Sequence, residues 1–140
     1  MDLKRVIYCS KAAVPMSSLL NVASILAVSS RNNERDDISG LLAYAEGTFI
    51  QAIEGPVQAV ESLMVRLAGD PRHSNMRVVG TDLATDRAFN AWIMETPRVR
   101  PEHAAMLKAI INGCEAPYGQ ALRMMLDLFH SCQSKYETYE

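Results

Sequence analysis

The order of strand-like and helix-like segments constrains the fold of this chain more than any other feature of its sequence. Short runs rich in β-branched and aromatic residues predict strands at residues 3–9, 41–45, 48–54, 76–83 and 91–96. The second and third runs are separated only by Glu46-Gly47, which predicts a hairpin because glycine supplies the permissive backbone of a tight turn.

Helical periodicity fills the intervals after the first and third predicted strands. One helix begins near Ser17 or Ser18. The other starts at Gly55-Pro56, with proline in its first turn, and has Gly69 as its C-terminal cap. The resulting order β-α-β-β-α-β, followed by a fifth strand, is the ferredoxin-like arrangement of the α+β class. It predicts an antiparallel-rich sheet with both of these helices on one face.

The last forty residues have a different pattern, with two helices predicted at residues 101–112 and 118–132. The second presents an apolar stripe at positions i, i+3, i+4 and i+7, formed by Leu122, Met125, Leu126 and Phe129. We expect these helices to pack on the open face of the sheet, because helices on one side leave the other side bare. A second protomer is the alternative cover, and we expect a homodimer. Residues 1–97 and 98–140 are thus expected to be two parts of one folded unit.

Composition excludes several classes of protein. Fourteen basic and sixteen acidic residues leave a formal net charge of −2, which argues against a dedicated nucleic-acid binder. The absence of a long apolar run argues against a membrane span or a signal peptide, so we expect a cytoplasmic protein. Three scattered cysteines and three scattered histidines predict neither a disulfide framework nor a metal site, and no catalytic triad is visible.

A polar side chain interrupts the most apolar of the predicted strands. Period two places Gln51 between Phe49 and Ile53 on one face, and a buried amide costs free energy unless it is paired. Tyr8 lies on the first strand, which neighbours the third in this topology, so the phenol and the amide are expected to meet. A structural amide bonded to the backbone or water is the alternative to a ligand contact.

Three further pairs of residues could contact a ligand, each with a simpler structural explanation. Amides at the end of the first helix could recognise a ring edge or only terminate the helix. A basic pair after the second helix could bind an anionic or aromatic ligand or lie in a solvated turn. Two large side chains on one face of the last strand could line a pocket or only fill the core. These pairs are Asn32 and Asn33, Arg72 and His73, and Trp92 and Met94.

Together, the motifs in this order resemble the BLUF domains, blue-light sensors that use FAD. The resemblance covers about residues 3–96 and is closest to the short, single-domain bacterial type. The motifs that carry it are Val6-Ile7-Tyr8, Ser29-Ser30-Arg31-Asn32-Asn33, Ile38-Ser39-Gly40-Leu41-Leu42, Phe49-Ile50-Gln51, Glu54-Gly55-Pro56, Asp70-Pro71-Arg72-His73 and Arg87-x-Phe89-x-x-Trp92-x-Met94.

The resemblance implies that non-covalent FAD lies between the two helices of the ferredoxin-like part. Tyr8 and Gln51 match the photoactive tyrosine–glutamine pair, and Trp92 and Met94 match strand positions that relay the signal. The resemblance implies three further pairs of cofactor-binding positions: Ile25 and Ser29 on the first helix, Asn32 and Asn33 at its end, and Arg72 and His73 near the flavin. Of these, Asn33 is implied to bind the pyrimidine edge of the flavin.

The function implied is a blue-light photoreceptor without catalytic activity. Rearrangement of the hydrogen bonds of Tyr8 and Gln51 gives a red-shifted state, and strand five and the C-terminal helices pass the signal to an unidentified protein partner. Two alternatives share the fold: a flavin-dependent redox enzyme and a ligand-free interaction module. A hydrolase of the acylphosphatase type is disfavoured, because residues 9–16 contain neither the arginine nor the glycine of a phosphate-binding loop.

Overall fold

Five strands and three helices make up the part of the chain that the computed structural model describes, which is residues 2–12, 35–45, 48–69, 73–90, 92–94, 101–111 and 117–137. The elements in chain order are β1 (Leu3–Ala12), β2 (Ser39–Ala45), β3 (Thr48–Pro56), α1 (Val57–Ala68), β4 (His73–Ala84), β5 (Trp92–Met94), α2 (Pro101–Ile111) and α3 (Tyr118–Glu137). The helix predicted to begin near Ser17 or Ser18 lies outside the described residues.

The strands form one sheet in the order β4-β1-β3-β2-β5. β1 lies between β3 and β4 and is antiparallel to both, whereas β5 runs parallel to β2. Ala45 pairs with Thr48, as the predicted hairpin requires. This order confirms the ferredoxin-like α+β fold with an added fifth strand. β1 and β4 are longer than predicted, because their ends continue the pairing from Lys11 to Ser74 and from Ala12 to His73.

α1 covers one face of the sheet, here called the α1 face. Its Val60 and Leu63 are buried against Val6 of β1 and Ile53 of β3. The helix runs from Val57 to Ala68 with Gly69 as its C-terminal cap, as predicted, whereas Pro56 precedes the first turn and does not lie within it. Proline suits this start because its fixed φ is compatible with helix entry and it has no N–H that needs a partner.

α2 and α3 cover the opposite face, as predicted for the C-terminal helices. Five residues of α3 are buried there: Ala121, Met124, Met125, Leu128 and Phe129. Leu122 and Leu126 are only half-buried at the margin of this cluster. All four residues of the predicted stripe belong to this cluster or pack against it, but the buried face is wider and also includes Ala121, Met124 and Leu128, since a helix lying on a broad sheet buries more than one line of residues. The helix also continues to Glu137, five residues beyond the prediction.

Gly40 is required by the close approach of two strands. Its φ of +144° is one that other residues rarely adopt, and a Cβ atom built there would lie 1.9 Å from the carbonyl oxygen of Ala52. This explains why glycine lies between Ser39 and Leu41 in β2. Any side chain at this position would separate β2 from β3, the strand that carries Gln51.

Two kinds of feature are absent from the residues whose placement is described. None of their helices is long and apolar enough to cross a membrane. They also contain no cluster of three or more histidine, cysteine, aspartate or glutamate side chains arranged to hold a metal ion.

Candidate functional site

Tyr8 and Gln51 meet at the centre of the sheet. They are direct partners in the β1–β3 ladder, and the hydroxyl of Tyr8 donates a hydrogen bond to Oε1 of Gln51. Only 3% of Tyr8 and 5% of Gln51 is exposed. Each side chain therefore supplies a partner that the other needs, because a buried polar group without a hydrogen bond is costly. The contact predicted from strand order and alternation is present.

This polar pair lies on the α1 face, surrounded by apolar side chains. Tyr8 belongs to the same buried cluster as Val6 and Ile53. Gln51 alternates with Ile50 and Ala52, which belong to the opposite cluster. The pair combines a phenol with an amide that has one accepting oxygen and two N–H donors. It can therefore exchange donor and acceptor roles without gaining or losing charge.

Ser10 is a further polar residue on this face that sequence reasoning missed. It follows Tyr8 by two positions in β1, pairs with Phe49 and is 2% exposed. Its Oγ has no hydrogen-bond partner among the described residues. A buried hydroxyl left unpaired costs about 1–3 kcal/mol, so this position suits a ligand that brings hydrogen-bonding atoms. Alternation from Tyr8 was the sequence signal that could have identified it.

The register of β5 relates its two candidate residues to this pair. Met94 is the backbone partner of Leu42, which in turn pairs with Gln51. Trp92 is the partner of Gly40, two positions further along β2. Met94 therefore occupies the row of the sheet that contains Gln51 and Tyr8, and Trp92 occupies a neighbouring row.

Glu54 is a fully buried carboxylate on the opposite face, three positions after Gln51 in β3. The backbone N–H of Ala88 lies 2.9 Å from each of its oxygens, and that of Phe89 lies 2.9 Å from Oε1. Nη1 of Arg5 approaches Oε2 at 3.4 Å. Charged hydrogen bonds of this kind offset the cost of burying the carboxylate. The sequence motif contained Glu54, but no role was predicted for it.

Arg5 connects Glu54 to a second carboxylate and to α3. Its Nε and Nη2 donate to the two oxygens of Asp82 at 3.0 and 2.8 Å, and the hydroxyl of Tyr118 also donates to Asp82. The bond to Asp82 raises the pKa of Arg5. Burial alone would raise the pKa of Asp82, but the hydrogen bonds from Arg5 and Tyr118 outweigh it and lower that pKa. Burial, with the bond to Asp82, raises the pKa of Tyr118.

The other candidate residues are only partly covered by the structure. His73 is the first residue of β4, where its backbone pairs with Ala12. The rest lie outside the described residues: Ile25, Ser29, Asn32, Asn33 and Arg72. Their expected places around a flavin remain predictions from the sequence.

Comparisons with known proteins identify relatives and similar structures. The chain is 38% identical over 82 residues to the photoactivated adenylate cyclase subunit beta of Euglena gracilis, a match that covers 59% of this chain and 9% of the relative. The chain spans about a tenth of the length of the first curated relatives that it matches.

Two solved structures match over nearly their full length. BlrB, a BLUF protein in its dark state, is 25% identical with a TM-score of 0.71, over 91% of this chain and 96% of that one. The photo-activated state of BlsA is 23% identical with a TM-score of 0.76, over 92% and 95% of the two chains, and this likeness concerns the fold alone.

The sequence model of the BLUF family, described as sensors of blue-light using FAD, matches residues 3–95. The matched range begins with β1 and extends past β5, so it includes every strand of the sheet and the Tyr8–Gln51 pair. The chain therefore belongs to the BLUF family of flavin-based blue-light sensors.

Proposed function

We propose that this chain binds FAD without a covalent bond on the α1 face of the sheet, and that reorientation of Gln51 beside Tyr8 is its light-driven switch. The buried hydrogen bond between these two side chains carries the proposal. The hydroxyl of Ser10 on the same face supports it, because this group has no hydrogen-bond partner within the described part of the chain and needs one. The polar groups of this face suit the edge of a flavin ring, which has both donors and acceptors.

Bound flavin would supply absorption of blue light and, once excited, enough oxidising power to take an electron from a nearby phenol, which would regain that electron when the flavin returns to its ground state. Tyr8 is a buried phenol on this face, and its hydroxyl proton already lies in a hydrogen bond to Gln51. Breaking the hydrogen bond between the Tyr8 hydroxyl and Gln51 leaves the amide oxygen of Gln51 without this donor. Gln51 can then turn so that its N–H₂ group donates to Tyr8 and its oxygen points elsewhere. Such an exchange changes the hydrogen bonding of the site while its total charge stays constant.

The choice of FAD and the remaining contacts belong to the same proposal. FAD and FMN share the ring that Tyr8 and Gln51 would contact, so this pair does not select between them. Selection falls to the other cofactor-binding positions: Ile25, Ser29, Asn32, Asn33, Arg72 and His73. The proposed selection follows the description of the family, which names FAD.

Output is proposed to leave through β5 and the C-terminal helices toward a protein partner, without catalysis by this chain. Residues 1–97 then form the sensor part and residues 98–140 the output part of one folded unit, which we propose to be a homodimer. The packing of α2 and α3 on the sheet supports the link between the two parts. A cyclase is one kind of output known by name among the relatives.

The deciding experiment is absorption spectroscopy of purified protein before and after blue light, with Tyr8→Phe and Gln51→Leu as test variants. We expect a flavin spectrum with a reversible red shift in the wild type, and flavin binding without that shift in both variants. Tyr118→Phe and Gln58→Leu are matched controls, because Tyr118 lies on the opposite face and Gln58 is exposed on α1. Both should keep the shift.

Reconstitution of the apoprotein with FAD, FMN and riboflavin in parallel tests the cofactor, and we expect the tightest binding for FAD. Failure of all three flavins to bind would overturn the proposal. A normal red shift in Tyr8→Phe or Gln51→Leu would show that the switch is built from other residues.

A further inference from the structure

Beyond the photoactive pair, we propose that Glu54 is a positioning residue that holds the segment before β5 in place and thereby couples the Gln51 site to α3. The proposal rests on the light-driven switch described above and adds a role for residues on the other face of the sheet. It is carried by a juxtaposition of Glu54, the Arg87–Phe89 segment and Phe129.

Glu54 fixes the backbone of this segment directly. Its carboxylate accepts the N–H groups of Ala88 and Phe89 and is fully buried. These donors are 34 and 35 residues away in the chain, so they are a tertiary contact and not part of a local turn. A carboxylate is unusual at a site with no exposure, and here it satisfies backbone groups that would otherwise be buried without partners.

Arg87 holds the same segment from its other end. Its Nη1 donates to Oγ of Ser39 at 2.7 Å, and its Nη2 donates to the carbonyl oxygen of Asp37 at 2.8 Å. Nη2 also lies 2.9 Å from Oδ2 of Asp37. The segment is thus attached to the start of β2 by Arg87 and to β3 by Glu54.

This attachment matters because β5 has little hydrogen bonding of its own. β5 contains three residues and, among the strands that the structure describes, pairs with β2 alone, at the edge of the sheet. Its Met94 nevertheless occupies the row of Gln51 and Tyr8. A three-residue edge strand is held weakly by its ladder, so the Arg87–Phe89 segment just before it determines where it lies.

Phe89 extends the attachment to α3. Its ring and that of Phe129 have centroids 5.2 Å apart and planes at 87°, and both rings are fully buried. Buried aromatic rings in edge-to-face contact cannot shift independently in a close-packed core. A displacement of β5 that pulls on Phe89 will therefore act on α3 at Phe129. The same displacement must work against the two hydrogen bonds that Glu54 accepts.

Glu54→Gln tests this role with almost no change in size. The amide keeps one accepting oxygen, but its N–H₂ group must face either the N–H of Ala88 or the guanidinium of Arg5, both of which are donors. Asp82→Asn is the matched control: it makes the same chemical change beside Arg5 but has no contact with Ala88 or Phe89 among those described. Glu61→Gln repeats the change at a carboxylate that is 58% exposed.

The readout is hydrogen exchange in the dark and under blue light, measured on peptides covering residues 85–94 and 118–131, with the red shift measured on the same samples. In the wild type we expect faster exchange of the Ala88 and Phe89 amides and altered exchange around Phe129 in the light. Glu54→Gln should keep the red shift, while the light-dependent difference around Phe129 falls about fivefold, the equivalent of one weakened hydrogen bond. Glu61→Gln should keep both responses. Asp82→Asn should keep the red shift and the light-dependent exchange at residues 85–94, and it is compared only there because Asp82 itself contacts Tyr118 of α3.

The outcomes separate this inference from the proposed function. A wild type without bound flavin or without a red shift overturns the proposed function. A wild type with a red shift but no light-dependent exchange at residues 85–94 or 118–131 overturns the coupling alone. The coupling is also overturned if Glu54→Gln shows the same light-dependent exchange around Phe129 as the wild type. If Glu54→Gln does not fold, Phe129→Leu tests the second contact, with the red shift kept and the exchange difference around residue 129 lost. Retention of that difference would also refute the coupling.

Discussion

Replacing Tyr118 by phenylalanine removes one hydroxyl group from the first residue of α3 and leaves its aromatic ring in place. The ring lies against Gly80 of β4, and the hydroxyl donates to Asp82, which also forms the two-bond contact with Arg5. The substitution therefore removes a single hydrogen bond between the C-terminal helices and the sheet. It tests how strongly this polar contact fastens α3.

The magnitude follows from the charge and exposure of the contact. A hydrogen bond to a charged group contributes about 1.5–3 kcal/mol to stability when it is buried. The side chain of Asp82 is 33% exposed, so solvent screening reduces the contribution to the lower end of that range or just below it. We expect Tyr118→Phe to lower the free energy of unfolding by about 1–1.5 kcal/mol, which is roughly 4–6 °C in Tm for a domain of this size.

Urea unfolding followed by far-ultraviolet circular dichroism measures this change, with flavin held at one saturating concentration because a bound ligand adds stability. Combining Tyr118→Phe with Asp82→Asn gives a double-mutant cycle. In the Asp82→Asn background the hydroxyl should be worth less, leaving a coupling energy of about 0.5–1 kcal/mol between the two side chains. The argument that this bond fastens α3 would be refuted if Tyr118→Phe were as stable as the wild type. It would also be refuted if the losses in the free energy of unfolding from Tyr118→Phe and Asp82→Asn were additive.

Two further predictions concern the same contact. Gly80→Ala should destabilise the protein by about 1–3 kcal/mol, because the new Cβ would lie 2.5 Å from Cδ1 of Tyr118. Most of that cost should vanish when Tyr118 is also changed to alanine. If urea unfolding shows the same cost of Gly80→Ala with and without the Tyr118 side chain, the prediction is contradicted. The lowered pKa of Asp82 means that its contribution is complete above its unfolded value of about 4 and is lost as pH falls through the folded pKa. Acid unfolding of Asp82→Asn should therefore show a smaller loss of stability below pH about 4, and identical pH profiles would count against the ion pair.

The sequence alone was sufficient to predict the meeting of Tyr8 and Gln51. Period two determines the face on which each side chain lies, and the β-α-β-β-α-β order makes the first and third strands neighbours. Both rules act over short distances or on whole elements, so they do not depend on details of packing. Family motifs added the expected roles of these residues in binding flavin and in signalling, and those roles stay proposals.

The role of Glu54 could not be derived in this way. Alternation placed it on the face of Ile50 and Ala52, where a carboxylate would be expected to be unfavourable. The groups that make it favourable are the backbone N–H donors of Ala88 and Phe89, and every residue except proline has such a donor. Residue identity therefore contains no signal for this contact, and only the path of the chain reveals it.

The sheet register and the buried face of α3 were likewise decided by tertiary structure. The β1–β4 ladder is regular from Leu3 to Ile7, which places Asp82 opposite Arg5 and Gly80 opposite Ile7, and two irregularities beyond Ile7 shift the partners of the residues that follow. Helical periodicity located α3, but the surface on which it lies determined that Met124 and Leu128 are buried more deeply than Leu122. Sequence patterns determine the elements and their faces because these depend on local spacing. Register and depth of burial depend on how distant elements fit together, which no local pattern encodes.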